Sequence, residues 1–359
     1  MKIHLRWLRR WLAADLRWLL MSGLAAGVSL RFMVAASPRL GRLNADQAVL
    51  YLTARHVGNG EFTAFFWGQT YGGSALQTAL GAVFRVTGPH LWMLPLAVGL
   101  VSTSVAMLTW RVGVVAGSPT AGALAGAALA VAPPTWVFFG VASEPFYTVG
   151  LAASLGSLLL VLRPAPLTSS RALVIGLLVG FAVWQSPFSV LTTLPTAVLL
   201  SPLLARRPRC GVQLVLGVLV GAGPVLRAVL LHDAPLSSGF RDERTTSQLL
   251  EAAVTGAWTQ LFTRFAPAQL PVWLLQAVVI VGLLVAVGAG LRQVARLAEG
   301  RADLLTLALL VPVVLWIPFH MHQRLPHDAP ASRYAMPLLP YIALWTARRK
   351  PAERSARMS

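Results

Sequence analysis

The chain has 359 residues, 56% of them hydrophobic and only 12% charged, with a mean hydropathy of +0.67. A soluble domain carries about twice that charged fraction, so a water-soluble globular enzyme is excluded and a polytopic membrane protein is expected. A formal net charge of +18 would suit nucleic acid, but its placement along the chain points elsewhere, and the single Cys210 excludes an intrachain disulfide framework.

A membrane-crossing helix needs about 20 mostly apolar residues. The sequence predicts ten such spans: Trp18–Ala36, Leu91–Trp110, Ala121–Phe139, Phe146–Leu162, Ala172–Ser186, Val190–Leu204, Val212–Leu231, Leu270–Leu291, Leu304–Phe319 and Tyr334–Thr346. Prolines at Pro133-Pro134 and Pro187 blur some of the ends. The fold class expected is therefore all-α, a polytopic membrane helix bundle forming one domain over residues 1–359. Val34-Ala35-Ala36 resembles a signal-peptide cleavage site, but the apolar stretch is long and Arg31 interrupts it, so an uncleaved anchor is expected.

With the N-terminus inside and the spans alternating, the inner segments hold nineteen Lys and Arg against four acids. The outer segments hold nine cations against eight acids, and Arg31 and Arg227 fall within spans. That bias orients the chain by the positive-inside rule. The basic charge thus reads as topology, with both termini cytoplasmic in a cell membrane, and nucleic acid is not expected as a partner. The Arg-rich stretch 347–359 reads as a solvated cytoplasmic tail.

Two outer segments are long, 37–90 and 232–268. In the first, Asn44 precedes Gln47 by three residues, a capping-box-like spacing. A helical run then continues through Val57 with Val49, Leu52 and Val57 on an apolar side, until Gly58-Asn59-Gly60 stops it. A second run, Ala75 to Val86, repeats apolar residues at Leu76, Leu80, Val83 and Phe84. Two amphipathic helices in the outer interface, joined through Phe65-Phe66-Trp67, are expected. In the second segment a polar helical run is predicted from Thr245 to Phe262.

Polarity held beside a bilayer is costly unless it builds a site. Asp46, at the second position of its predicted helix, has two readings. It is a carboxylate that stabilises the free N–H groups of the helix start, or it is the acid of a reaction centre. Glu61, Gln69 and Tyr71, with Gly72-Gly73 allowing close backbone approach, read either as a sugar-binding wall or as an aromatic interface belt with a turn. Glu144, at the outer start of the fourth span, reads as an acceptor-side group or a solvated carboxylate. His320, His322, His327 and Asp328 are too loosely spaced on one short segment to predict a metal site.

The pattern A-D-Q-A-x-x-x-L-x-A-R-H-x-x-x-G-E-F, followed by F-F-W-G-Q-x-Y-G-G-S, resembles the first outer loop of the GT-C membrane glycosyltransferases. It is most similar to the bacterial relatives of protein mannosyltransferases and aminoarabinose transferases. Trp184-Gln185-Ser186-Pro187, Gly221–Arg227 and Arg333-Tyr334-Ala335-Met336-Pro337-Leu338 extend the resemblance over most of the chain.

The resemblance implies transfer of a sugar from a polyprenyl-phosphate donor to an acceptor at the outer face, with inversion and without a metal or other cofactor. It makes Asp46 the general base, with Gln47, Glu61, Gln69, Tyr71 and Glu144 around the sugar and acceptor. The leaving lipid phosphate needs cationic neutralisation, which planar arginines supply bidentately; Arg333 comes first, then Arg324 and Arg241. Gln47 stands where the family pattern has Glu. Two other functions remain open on the sequence: a non-enzymatic transporter or flippase, disfavoured by span interiors nearly bare of ionisable groups, and an inactive scaffold that keeps the fold.

Overall fold

The computed structural model describes residues 2–37, 45–67, 72–131, 133–142, 146–232, 245–253, 272–298, 303–322 and 335–347. These residues are helical, apart from turns, short extended connections and one isolated bridge between Phe65 and Gly73. Helix α1 is Lys2–Ala36, α2 Ala45–Gly58, α3 Ala75–Thr87, α4 Met93–Ala116 and α5 Pro119–Val131. Then follow α6 (Pro134–Ala142), α7 (Phe146–Leu162), α8 (Ser169–Gln185), α9 (Ser189–Ala205), α10 (Pro208–Gly221), α11 (Gly223–His232) and the short α12 (Thr246–Glu251). Helices α13 (Val272–Ala298) and α14 (Leu304–His322) precede a buried 3₁₀ turn, Met336–Leu338, which leads into α15 (Leu339–Ala347).

A helix lies at each of the ten predicted spans, but two spans are broken. The stretch expected as Ala121–Phe139 bends by 70° between α5 and α6, where Pro133-Pro134 removes backbone donors. The stretch expected as Val212–Leu231 bends by 67° between α10 and α11, beside Gly223-Pro224. Helices α4 and α14 are long and apolar enough to cross a membrane, and each bent pair would add one more crossing. Other apolar helices are shorter; α7, α8 and α9 have 17 residues each, which at 1.5 Å per residue is about 25 Å. The run expected from Thr245 to Phe262 begins with a capping box at Thr245 and Gln248, and beyond residue 253 it lies outside the described residues.

The helices approach one another through glycine. Gly176 and Gly180 of α8 face Gly217 and Gly221 of α10, two small-xxx-small stripes in register. A Cβ built on Gly176 would stand 2.2 Å from the Leu214 carbonyl oxygen, and one on Gly217 would stand 2.3 Å from that of Leu173. Helix α1 uses Gly23 and Gly27 against Ala127 and Ala130 around α5, and α5 presses Gly122 onto Gly113 of α4. Side chains longer than hydrogen would separate these backbones.

Hydroxyl rungs join the middle of the bundle. Ser154 pairs with Thr192 and Ser157 with Thr196, each at 2.8 Å across α7 and α9, while Tyr341 donates to the Thr192 carbonyl at 2.6 Å. Such bonds average about 0.6 kcal/mol between membrane helices, so they select register more than they supply stability. Trp136, Trp316 and Tyr341 are among the largest fully buried side chains. The outer flanks of α10 and α13 leave Val212, Val215, Leu219, Val281, Leu284 and Val285 exposed, the surface a bilayer would cover.

Gly217→Leu should lower the thermal transition of the detergent-solubilised chain by several degrees, as overpacking costs about 1–3 kcal/mol. Gly211→Ala, where no atom lies within 4 Å of the added Cβ, should leave it unchanged. Equal transitions for the two variants would contradict the α8–α10 contact.

Candidate functional site

Helix α2 begins at Ala45, so Asp46 and Gln47 sit in its first turn, as the sequence predicts. Their side chains take different roles. Asp46 is half-buried and makes no hydrogen bond to another described residue. Gln47 is buried and donates from Nε2 to the Val141 carbonyl at 3.2 Å, tying α2 to α6. The buried residues of α2 are Gln47, Leu50, Thr53 and Ala54, whereas Leu52, placed on the apolar side by the sequence, is exposed. In α3, Leu80 and Phe84 turn inward while Val83 is exposed.

Val141 lies on the wall of a cavity of about 640 Å³ between α1, α4 and α6. Val28, Phe32, Leu96, Leu100 and Trp92 are among its lining, and Arg31 is its one charged residue among those described. The guanidinium is held in place: Nη1 donates to the carbonyls of Ala130 at 2.7 Å and Gly27 at 2.9 Å, and Nε to Ser102 Oγ at 3.2 Å. Nη2 has no acceptor among the described residues. Gly140 makes room for it, since a Cβ there would stand 2.9 Å from Arg31 Nε. Arg31, placed by the sequence within the first span, is 4% exposed. A signal for this was present: Gly23, Gly27 and Arg31 recur every four residues, so Arg31 shares the face that packs most closely.

The connection between α2 and α3 closes over the far end of α8. Gly60, with φ of 97°, carries the chain out of α2 in a left-handed turn that favours glycine. Glu61 follows and its carboxylate lies 2.6 Å from His56 Nδ1, with the Trp67 ring edge-on to His56. The Glu61 side chain is 65% exposed, so this pair contributes little stability. Phe66 N–H donates to the Gly72 carbonyl, Gly73 N–H to that of Gln185, and Trp184 Nε1 to that of Ala64. The two motifs W-Q-S-P and F-F-W-G-Q-x-Y-G-G-S thus touch. A Cβ on Gly73 would stand 2.3 Å from Gln185 Nε2, which is buried and without a partner among the described residues.

Of the other residues singled out by sequence, Gln69, Tyr71, Glu144, Arg241, Arg324 and Arg333 lie outside the described residues, as do Asn44, His327 and Asp328. The structure therefore places Asp46, Gln47 and Glu61 on α2 and its exit turn. His320 is buried with its ring edge-on to Trp316 at 5.1 Å, and no three His, Cys, Asp or Glu come together among the described residues. The arrangement offers a carboxylate with no described partner, a fixed amide beside it, and an open apolar cavity with one fixed cation among the described residues. In comparisons with protein-family models, curated proteins and solved structures, the chain matches none.

Because Gln47 donates to a buried carbonyl, a carboxylate cannot replace it in its ionised form. Gln47→Glu should cost about 1–3 kcal/mol, read as a thermal transition several degrees lower; an unchanged transition would contradict the Gln47–Val141 bond. Trp184→Phe should cost about 1 kcal/mol and increase proteolytic cleavage between residues 59 and 74, which limited proteolysis would detect.

Proposed function

We propose that the chain is an integral membrane glycosyltransferase that moves a sugar from a polyprenyl-phosphate donor to an acceptor hydroxyl. One observation carries this reading. The helix start bearing Asp46 is hydrogen-bonded through Gln47 to the wall of an apolar cavity whose one charged residue, among those described, is Arg31. Apolar walls suit an isoprenoid chain, and the positive charge of a guanidinium suits a phosphate. The sequence resemblance of the Asp46 loop supports the same chemistry.

In this reading the Asp46 carboxylate removes the proton of the acceptor hydroxyl. The acceptor oxygen forms its bond to the anomeric carbon as the bond from that carbon to the phosphate oxygen breaks, inverting the centre. The electron pair leaves on the lipid phosphate, whose charge is neutralised by cations rather than by a proton. Arg31 joins Arg333, Arg324 and Arg241 as a donor-phosphate group. Gln47 contributes position: a neutral amide keeps the neighbouring acid in place without adding a second negative charge.

The bundle is proposed to cross the cytoplasmic membrane ten times, with both termini inside and the α2–α3 segment at the outer face. The positive-inside bias of the basic segments supports this orientation.

The purified chain in nanodiscs should release label from one member of a panel of radiolabelled polyprenyl-phosphate sugars when membrane extract supplies the acceptor. Asp46→Asn should retain its thermal transition and donor binding but lose at least about a hundredfold in transfer, the low end of the contribution of a general base. Full transfer by that variant would overturn the role of Asp46. Uptake of an unmodified substrate into proteoliposomes would overturn the enzyme.

A further inference from the structure

The end of α8 opposite the Asp46 segment carries a separate feature. Residues 146–232, which cover α7 to α11, hold six arginines and no Asp or Glu. Three of the six, Arg171, Arg206 and Arg207, line one pocket of about 230 Å³, floored by Val161, Leu200 and Leu203. It lies where the end of α7, the start of α8 and the end of α9 meet. By helix rise it is about 25 Å from the Gln185 end of α8.

The three cations are not equivalent. Arg171 is committed to the backbone. It donates from Nε to the Leu160 carbonyl, from Nη1 to that of Ala165 and from Nη2 to that of Arg163, closing the end of α7. Burial, and then the charge of Arg163, hold its guanidinium below the ordinary arginine range. Arg207 uses Nη1 on the Leu167 carbonyl at 2.8 Å, which fixes the side chain and leaves its remaining N–H groups for another partner. Arg206 is exposed and bonds to no described residue. The one ion pair among the described residues is His56–Glu61, so no described carboxylate pairs with this cluster.

Like charges gathered on a fixed loop, with no acid within the surrounding sequence, repel one another unless an anion sits among them. The pocket is smaller than one that takes a drug-sized ligand. On its apolar side Leu203 is exposed. A phosphate with an apolar chain attached satisfies both halves, whereas a free anion leaves the apolar half uncovered. We infer that Arg206 and Arg207, held beside the Arg171-capped end of α7, bind the headgroup phosphate of an anionic phospholipid whose acyl chain lies along Leu200 and Leu203. This site is independent of the transfer reaction proposed above, and its lipid stays bound through turnover.

The test uses the full chain purified into nanodiscs containing equal phosphatidylglycerol and phosphatidylcholine, followed by native mass spectrometry of the released protein. Wild type should retain phosphatidylglycerol about tenfold or more over phosphatidylcholine, the size two arginines supply at an anionic lipid surface. Arg206→Gln/Arg207→Gln should bring the ratio close to one, while Arg209→Gln, outside the lining, should keep it. Parity in wild type, or an unchanged ratio in the double variant, would overturn the site. Equal displacement of the lipid by millimolar inorganic phosphate would overturn it in favour of a free-anion site. Should the double variant fail to fold, a photoactivatable phosphatidylglycerol on wild type decides the matter. Cross-links within 161–171 or 200–207 support the site, and cross-links confined to other segments overturn it.

Discussion

The structure rests on helix backbones brought into direct contact by glycine. Where helices sit among lipid tails, burying a leucine against another helix gains little over leaving it in lipid, so close packing and interhelical hydrogen bonds must hold the bundle. Gly176, Gly180, Gly217 and Gly221 bring α8 and α10 together, and Gly23 and Gly27 bring α1 onto α5. Once these pairs are set, the positions of α4, α7 and α9 follow, because α5 packs between α1 and α4, and α7 packs on α8 and α9. The cavity beside Arg31 lies where α1 and α4 both pack on α6.

The same close contacts create the demand for buried polarity. Arg31 follows Gly27 by one turn on the most closely packed face, so its guanidinium enters protein rather than lipid, and backbone carbonyls of α1 and α5 receive it. A buried charge is tolerated only with several such partners, and removing them would cost several kcal/mol. Gln47 solves a related problem with a neutral group, bonding the Val141 carbonyl in the last turn of α6. At the opposite end of α8, Arg171 satisfies the final carbonyls of α7, the arrangement expected for a cation at a helix C-terminus. Three polar side chains thus stabilise three points in the bundle, and all three border the cavities.

Much of this architecture was legible in the chain. Apolar runs separated by basic segments located every long helix, because hydropathy alone decides which stretches leave water. Gly58-Asn59-Gly60 and the spacing after Gly73 located the bounds of α2 and α3 within one residue, since turn chemistry is local. The inward face of α2 was not legible: Val49, Leu52 and Val57 were the apolar choice, yet Gln47 and Thr53 are buried and Leu52 is exposed. At an interface with lipid, an apolar side chain gains as much facing outward as inward, so periodicity loses its power to assign the core side. The two broken spans escaped for another reason, as a proline permits a kink and its angle depends on what packs there.

The sequence by itself determined the helical class and the bounds of α2 and α3, because composition and turn residues are read one residue at a time. Tertiary structure alone decided that W-Q-S-P would support the aromatic loop through Trp184 and Gln185, that Arg31 would stand as the charge in an apolar chamber, and that Arg171, Arg206 and Arg207 would share a pocket. These residues are separated by tens to more than a hundred positions along the chain. Nothing local brings them together; the glycine contacts that set helix against helix do.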